Sequence, residues 1–498
     1  MAAEHIVALD AGTSGVRAVI LRSGSGIVAA ARRAWSYETP PGGGPLDKCF
    51  DPETFWSIVG RVCRTALAQA GLSGGDIAVV SVTSQRLGIV VIDKDGRVLF
   101  TGPNVDARAF MEGIAIDGTM AERVYASSGK LPSLLLTPAR LHWLRKHDPA
   151  AYARADCVLT IGDWLAFQLT GERKNERSLA GDCGLLDVAS RERDDKLLGE
   201  LEVPSHLLAP LVSSGEVTGT VSKAGAKATG LAPGTPVVIA GGDTQCALAG
   251  MGVETPGAAG IAAGWSCPLQ IVTAEPRFDA QRRTWTDLHV VRDRWVIESS
   301  PANAGQAWQW WVETLLGDGP DVLEQAGALV SEAPAGSGDV LALLGPAAMN
   351  AGAMGLHLGG LLMTTPLVAN AVGRPELLRA ALENVAYALR ANLEQAEEVA
   401  AARATRIAVG GGLTNAAVFS RILCDVLARP IEVAHDVEVT ARGAALLAAR
   451  AVGLEETALR AEMNSIEPDG PAAEGYERRY QRWRKLGAAL DRTMQELG

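Results

Sequence analysis

At 498 residues the chain is longer than one hydrophobic core usually serves, so two domains are expected, with chemistry in a cleft between them. Charged residues make up 21% and hydrophobic residues 48%, and a net charge of −11 spread along the chain offers no basic surface to nucleic acid. No apolar run reaches the roughly 18 residues of a membrane helix, and the opening MAAEHIVALD has no basic or apolar leader, so a cytoplasmic protein without a membrane partner is expected.

The first element is Ile6 to Leu21, two apolar strand-like runs flanking Asp10-Ala-Gly-Thr-Ser-Gly15. Gly12 and Gly15 permit close approach to phosphate oxygens, Thr13 and Ser14 add hydroxyls, and Asp10 supplies a hard oxygen for a phosphate-bound Mg²⁺. A plain hairpin loop is the competing reading of the same residues. Asp51 to Gly71 has helical spacing through Phe55, Ile58, Val59, Val62 and Leu67, with Asp51-Pro-Glu as an N-cap. A buried strand at Ile77 to Val82 leads into Ser84-Gln-Arg-Leu87, which places Arg86 on the ligand side of a sheet or in an ion pair. Pro103-Asn-Val-Asp-Ala-Arg108 is a second polar cluster, in which Asp106 and Arg108 either pair, cap the next helix or face substrate.

Helical patterns follow at Thr137-Pro138 and before Gly171, with Trp143, Trp164 and Phe167 read as core. The apolar run Val237 to Ala240 enters Gly241-Gly242-Asp243-Thr244-Gln245 and a small-residue helix from Cys246; the two glycines leave room for a ligand, and Asp243 is either a base or a helix N-cap. A domain boundary is placed near Gly252 to Pro256, because the segment from Gly257 repeats the pattern of strand, glycine-containing turn and strand. Trp308 to Leu316 and Pro375 to Glu398 read as helices, with Trp310 and Trp311 as core. A strand at Arg406 to Val409 enters Gly410-Gly-Gly412-Leu-Thr-Asn415, a nucleotide-side turn, and Glu474 to Leu497 reads as an amphipathic cover helix. Seven cysteines form no CxxC pair and seven histidines show no HxxxH spacing, so reduced thiols and no protein-built zinc site are expected.

Taken in order, Asp10-Ala-Gly-Thr-Ser, Gly241-Gly242-Asp243, Gly264-Trp-Ser and Gly410-Gly-Gly resemble the FGGY carbohydrate kinases of the sugar kinase, heat-shock 70 and actin superfamily. The resemblance implies an α/β chain of two ribonuclease H-like, actin-type domains, 1–252 and 253–498, with a catalytic cleft between them. It implies ATP and Mg²⁺, with Asp10 for the metal and Asp243 as the base. Gly12, Thr13, Ser14, Arg17, Gly264, Trp265 and Ser266 would lie near the phosphates, and Gly411, Gly412 and Asn415 near adenosine. Arg86, Asn104, Asp106, Thr244 and Gln245 would lie near a small sugar or polyol substrate. Leu87 and Asn104 depart from the glycerol kinase pattern, and Asn104-Val-Asp-Ala-Arg108, Asp163-Trp-Leu-Ala and Gly184-Leu-Leu-Asp187 look closer to the autoinducer-2 kinase and xylulokinase-like branch. A homodimer is compatible with this reading. The expected reaction is ATP-dependent phosphorylation of a hydroxyl of a small sugar, polyol or linear hydroxy-ketone. The alternatives are a nucleotide-gated binding protein of the same superfamily and a kinase fold with degraded activity, the latter motivated by Trp265 and Leu87.

Overall fold

A computed structural model describes residues 4–353, 357–363 and 372–497. The chain forms two compact units. The first comprises Met1–Pro256, Val272–Val296 and Glu438–Ala461; the second comprises Gly257–Ile271, Ile297–Val437 and Glu462–Gly498. Two segments that the sequence reading gave to the C-terminal domain, 272–296 and 438–461, therefore lie in the first unit.

In the first unit the opening hairpin forms as expected: His5–Gly12 pairs antiparallel with Gly15–Arg22, placing Asp10 opposite Arg17 and Gly12 opposite Gly15. A strand that the sequence reading missed, Gly26–Ala34, pairs antiparallel with the second. Its carbonyl at Arg33 occupies the space where a side chain on Gly15 would stand, so that glycine serves strand packing and leaves Gly12 as the open one. Ile77–Ser84 and Pro236–Gly242 extend the sheet in parallel, and both deliver polar residues at their C-terminal ends. One face is covered by the helix Pro52–Ala70, whose N-cap Asp51 accepts from Thr54 N at 2.8 Å and whose Phe55, Val59, Val62 and Leu67 are buried.

The other face is covered by the helix Val439–Val452, a run of small side chains packed with Ile6, Ala8, Val79 and Val238. This helix also crosses Asp243–Gly250 at very short range: a methyl on Gly443 would overlap the carbonyl of Cys246, and one on Gly250 would overlap that of Val439. Only chains without Cβ at the crossing allow such contact, which explains why 438–461 packs in the first unit. Gly443→Ala should cost about 1–3 kcal/mol in urea unfolding; a loss below about 0.5 kcal/mol, the range of a bland surface change, would contradict the crossing.

The second unit repeats the arrangement. Ala258–Ala262 pairs antiparallel with Leu269–Thr273 and parallel with Arg406–Gly410, which in turn pairs parallel with Ile431–Ala434. Its core gathers around the long helix Arg374–Ala400, against which the C-terminal helix Gly470–Leu497 buries Tyr476, Tyr480 and Trp483. Tyr476 OH donates to Glu383 Oε1 at 2.8 Å and Trp483 Nε1 to Asn384 Oδ1 at 2.8 Å, so the cover helix is keyed as well as apolar. Trp311 is core, but Trp310 is 50% exposed: adjacent helical positions point about 100° apart, so only one of the pair can face the interior. Trp164 is buried, whereas Trp143 and Phe167 are half-buried beneath Arg108 and Arg173. All seven cysteines are free thiols, and among the described residues no helix is long and apolar enough to cross a membrane.

Candidate active site

The first unit gathers its polar residues where three strands end. Asp10 is buried, with Oδ2 3.8 Å from Arg17 Nη1, and Arg17 Nη1 lies 3.6 Å from Glu438 Oε2. Asp10 Oδ1 meets no hydrogen-bond donor. Burial pushes its carboxyl up to about 7 against the opposing pull of Arg17, and the charges of Asp243 and Glu438 push the same way. A buried acceptor oxygen without a donor suits a hard divalent cation or a water on one. Among the described residues no group of three or more His, Cys, Asp or Glu could hold a metal, so an ion here would need most of its shell from phosphate and water. Glu438 escaped the sequence reading because it reaches Arg17 only after the chain has returned from the second unit.

The turn beyond Asp10 is buttressed from behind. Asn104 Nδ2 donates to Thr13 Oγ1 at 2.8 Å, Asn104 N to Gln85 Oε1 at 2.9 Å, Gln85 Nε2 to Tyr37 OH at 2.7 Å, and Trp35 Nε1 to Thr13 O at 3.2 Å. Asn104 therefore sits against the phosphate turn, with a buried Oδ1 that no donor meets. Tyr37, absent from the sequence reading, is held neutral, its phenol pushed up to about 12 mainly by burial.

Asp243 is the first residue of its helix, and Gly242 takes the N-cap position, so the N-cap reading of Asp243 is replaced. Its Oδ1 accepts from Thr244 N at 2.7 Å and Thr244 Oγ1 at 3.3 Å, and the residue is half-buried. The two preceding glycines leave room for the protein's own atoms. Gly241 has φ +115, and a Cβ there would stand 2.5 Å from Ser178 Oγ; one on Gly242 would stand 2.6 Å from Gln245 Oε1 and 3.0 Å from Arg86 Cγ. Ser178 is fixed in turn by the buried Glu176, which accepts from Ser178 Oγ at 2.7 Å, Leu179 N at 2.9 Å and Ser214 Oγ at 2.5 Å.

Arg86 is buried among charges that include Asp182, Lys130 and Asp287. Its Nη1 lies 3.4 Å from Asp182 Oδ1 and 3.7 Å from Asp287 Oδ2, while Lys130 Nζ lies 3.1 Å from Asp182 Oδ1 and pairs with Asp287 Oδ1. Gln245 Nε2 reaches Asp182 Oδ2 at 3.5 Å. Burial pushes the Asp287 carboxyl up to about 6, opposed first by Lys130. The strand Trp285–Leu288 brings Asp287 here because Thr286 N donates to Gly129 O at 3.0 Å and Trp285 Nε1 to Leu131 O at 2.6 Å, bracketing Lys130. Sequence reasoning missed Lys130, Asp182 and Asp287. The visible signals were an acid among glycines in Gly181-Asp-Cys-Gly184 and an acid in an apolar strand, neither of which names a partner.

Asp106 pairs with Arg108, one of the readings that the sequence left open, and its Oδ2 is buried without a hydrogen-bond donor. Its carboxylate is buried and accepts from Lys48 N at 3.0 Å and Arg108 Nε at 2.8 Å, with Arg140 Nε 4.0 Å away. Arg140 also donates to Leu87 O, to Pro103 O at 3.1 Å and to Asp106 O at 3.0 Å, so these charges clamp loops together. Leu87, at φ +66, is held by this clamp. Asp106→Asn should cost about 1–3 kcal/mol of stability by weakening a buried charged hydrogen bond, while the order of preferred acceptors in a substrate panel stays the same.

In the second unit the turn 263–268 and the glycine triplet interlock. Ala263 N donates to Gly410 O at 2.7 Å and Leu413 N to Ala263 O at 3.0 Å. Gly411 has φ +127, and a Cβ there would stand 2.9 Å from the Ala263 backbone, so this glycine serves the chain's own packing; Gly412 and Gly264 have open space. Trp265 O accepts from Gly305 N at 2.9 Å, which pins the turn to the helix Ala304–Leu316, and the residue is 38% exposed. Ser266 O accepts from Ser300 Oγ at 3.3 Å, and Asn415 ends the short helix Gly412–Asn415.

Residues 5–250 match the N-terminal domain of the FGGY family of carbohydrate kinases, and residues 259–452 match its C-terminal domain. The chain belongs to the FGGY family. Relatives include an autoinducer-2 kinase of Klebsiella pneumoniae, 31% identical over 90% of this chain and 86% of that protein, and one of an Enterobacter species, 32% identical over the same shares. A xylulose kinase structure from Rhodospirillum rubrum superposes with a TM-score of 0.84 and 26% identity over 99% of this chain and 100% of that one. As an FGGY kinase the chain is a phosphotransferase with an alcohol acceptor, of the mixed α/β, actin-like ATPase fold, and ATP is the family's phosphoryl donor. The reading of a nucleotide-gated binding protein without kinase activity finds no support among these relatives.

Proposed function

We propose that this FGGY kinase transfers the γ-phosphoryl group of ATP to a hydroxyl of a small sugar, polyol or linear hydroxy-ketone, with Asp243 as general base. The observation that carries this reading is the pairing of two carboxylates in one place. Asp10 is buried with an unmet oxygen, and the sheet register sets Asp10 and Gly241 on either side of Thr83, so that Asp243, half-buried, starts its helix at the same strand ends. Asp10 would hold Mg²⁺, which neutralises phosphate charge when bound. Thr13, Ser14 and the open backbone at Gly12 would hold phosphate oxygens, with Arg17 steadied by Asp10 and Glu438 beside them. Gly264, Trp265 and Ser266 would serve the phosphates, and Gly412 with Asn415 the adenosine. Thr244 fixes the Asp243 carboxylate, so the base meets the acceptor hydroxyl without reorganising. The relatives named autoinducer-2 kinase and xylulose kinase support a linear hydroxy-ketone as acceptor. A coupled ADP-release assay over neutral ketoses and polyols tests this. The expected result is saturable, acceptor-dependent turnover on short-chain ketoses, and acceptor-independent ADP release alone would refute it.

A further inference from the structure

We propose that Thr83 and Ser178, the latter set by Glu176, are positioning residues for Asp243: they grip the one peptide unit that decides how Asp243 leaves its strand. This rests on the reading of Asp243 as the general base. The unit is the peptide joining Gly241 to Gly242. Its carbonyl end, Gly241 O, accepts from Thr83 Oγ1 at 2.8 Å, and its amide end, Gly242 N, donates to Ser178 Oγ at 3.3 Å. Thr83 stands on the neighbouring strand Ile77–Ser84 in register with Gly241, and Ser178 belongs to the short helix Arg177–Asp182, whose N-cap is Glu176. Thr83, Ser178 and Glu176 are all buried, so water does not compete for these bonds.

Glycine at both 241 and 242 removes the Cβ contacts that ordinarily confine a peptide, and turning this one changes only ψ of Gly241 and φ of Gly242. Local sterics therefore leave its orientation open, although Asp243 follows directly as the first helical residue. Side chains have to fix it. Gly241 must lack a Cβ, because one there would stand 2.5 Å from the same Ser178 Oγ that holds the amide end. Glu176 sets the polarity of that contact. It takes the Ser178 hydroxyl proton at 2.7 Å while Ser178 N, Leu179 N and Ser214 Oγ anchor its carboxylate, which leaves a Ser178 lone pair for the Gly242 N–H. With either grip removed, peptide 241–242 gains a second orientation that carries Asp243 off the acceptor hydroxyl, and a displacement of about 1 Å is enough to lower the rate about 10²-fold. If the two grips only stabilised the fold, their loss would lower stability and leave turnover of the folded protein unchanged.

The experiment measures kcat, the KM of ATP and urea unfolding for Thr83→Val, Thr83→Ser and Ser178→Ala, each alone and on an Asp243→Asn background, with the short-chain ketose or polyol that turns over best. Thr83→Val keeps the shape and loses the donor; Thr83→Ser keeps the donor. Thr83→Val and Ser178→Ala should each lower kcat about 10- to 100-fold with the KM of ATP within about threefold, and Thr83→Ser should hold kcat within about threefold of wild type. On the Asp243→Asn background Thr83→Val and Ser178→Ala should change the remaining rate less than about threefold, because the group they position no longer accepts a proton. Wild-type kcat in both variants, the same fold-loss on both backgrounds, or Thr83→Ser as slow as Thr83→Val overturns the proposal; if Thr83→Val does not fold, Ser178→Ala on the two backgrounds decides it. A large loss in Asp243→Asn with wild-type kcat in Thr83→Val and Ser178→Ala would spare the base and sink this inference. An Asp243→Asn rate within about threefold of wild type, far short of the general-base range, would sink the base reading and this inference with it.

Discussion

Replacing Asp243 with Asn is expected to lower kcat by about 10²- to 10⁴-fold, the range of a lost general base. The substitution keeps the side-chain shape, and the Asn oxygen can still accept the Thr244 N–H that the carboxylate accepts at 2.7 Å, so the helix start at Gly242 is undisturbed. The basicity needed to take the acceptor's proton as phosphorus is attacked is what disappears. Nucleotide affinity should change little, because the turns at Gly12 to Ser14 and at Gly410 to Asn415 owe their shape to other bonds. Steady-state kinetics with parallel nucleotide titration measure both quantities. A kcat within about threefold of wild type, far short of the general-base range, would remove Asp243 from the chemistry.

Asp10→Asn should make the protein more stable and less active at once. In the folded chain the Asp10 carboxyl is pushed up to about 7, against 3.8 ordinarily, chiefly by burial. Between those pH values the folded chain keeps a proton that the unfolded chain has released, so stability falls as pH rises through that window and the loss is complete above it. Asparagine carries no such charge. In magnesium-free buffer at pH 8 the variant should be more stable than wild type by roughly 2–4 kcal/mol, and the gap should close toward pH 4. Its magnesium-dependent nucleotide binding should weaken, since the hard oxygen is lost. Urea unfolding across that pH range, with a magnesium titration of nucleotide affinity, checks both arms. Equal stability of the two proteins at every pH would show that Asp10 carries no burial penalty and would undercut its proposed role.

The site residues differ in how much of their placement could be read from the sequence, and the difference follows from the range of the interactions that hold them. Local signals determined the opening hairpin, the N-capped helix after Asp51, the strand that delivers Asp243 and the glycine triplet after Val409, because strand alternation, helix caps and glycine turns are written in neighbouring residues. Three of the four family motifs lie in these same segments, and the fourth, Gly264-Trp-Ser, lies in the turn after Ala258–Ala262. Tertiary structure alone decided what each polar residue does. Asp106 became a clamp because Arg108 and Arg140 converge on it, and Gly241, Gly242 and Gly411 proved to serve Ser178, Gln245 with Arg86, and Ala263. Trp310 turned outward while Trp311 filled the core, a choice made by the partner surface of the helix. Most of all, the chain returns to its first unit twice, and those returns carry Glu438 to Arg17 and Asp287 to Lys130. Pairing between residues more than a hundred positions apart leaves no local pattern, since each charge looks solvated until the fold removes the water and supplies its counter-ion.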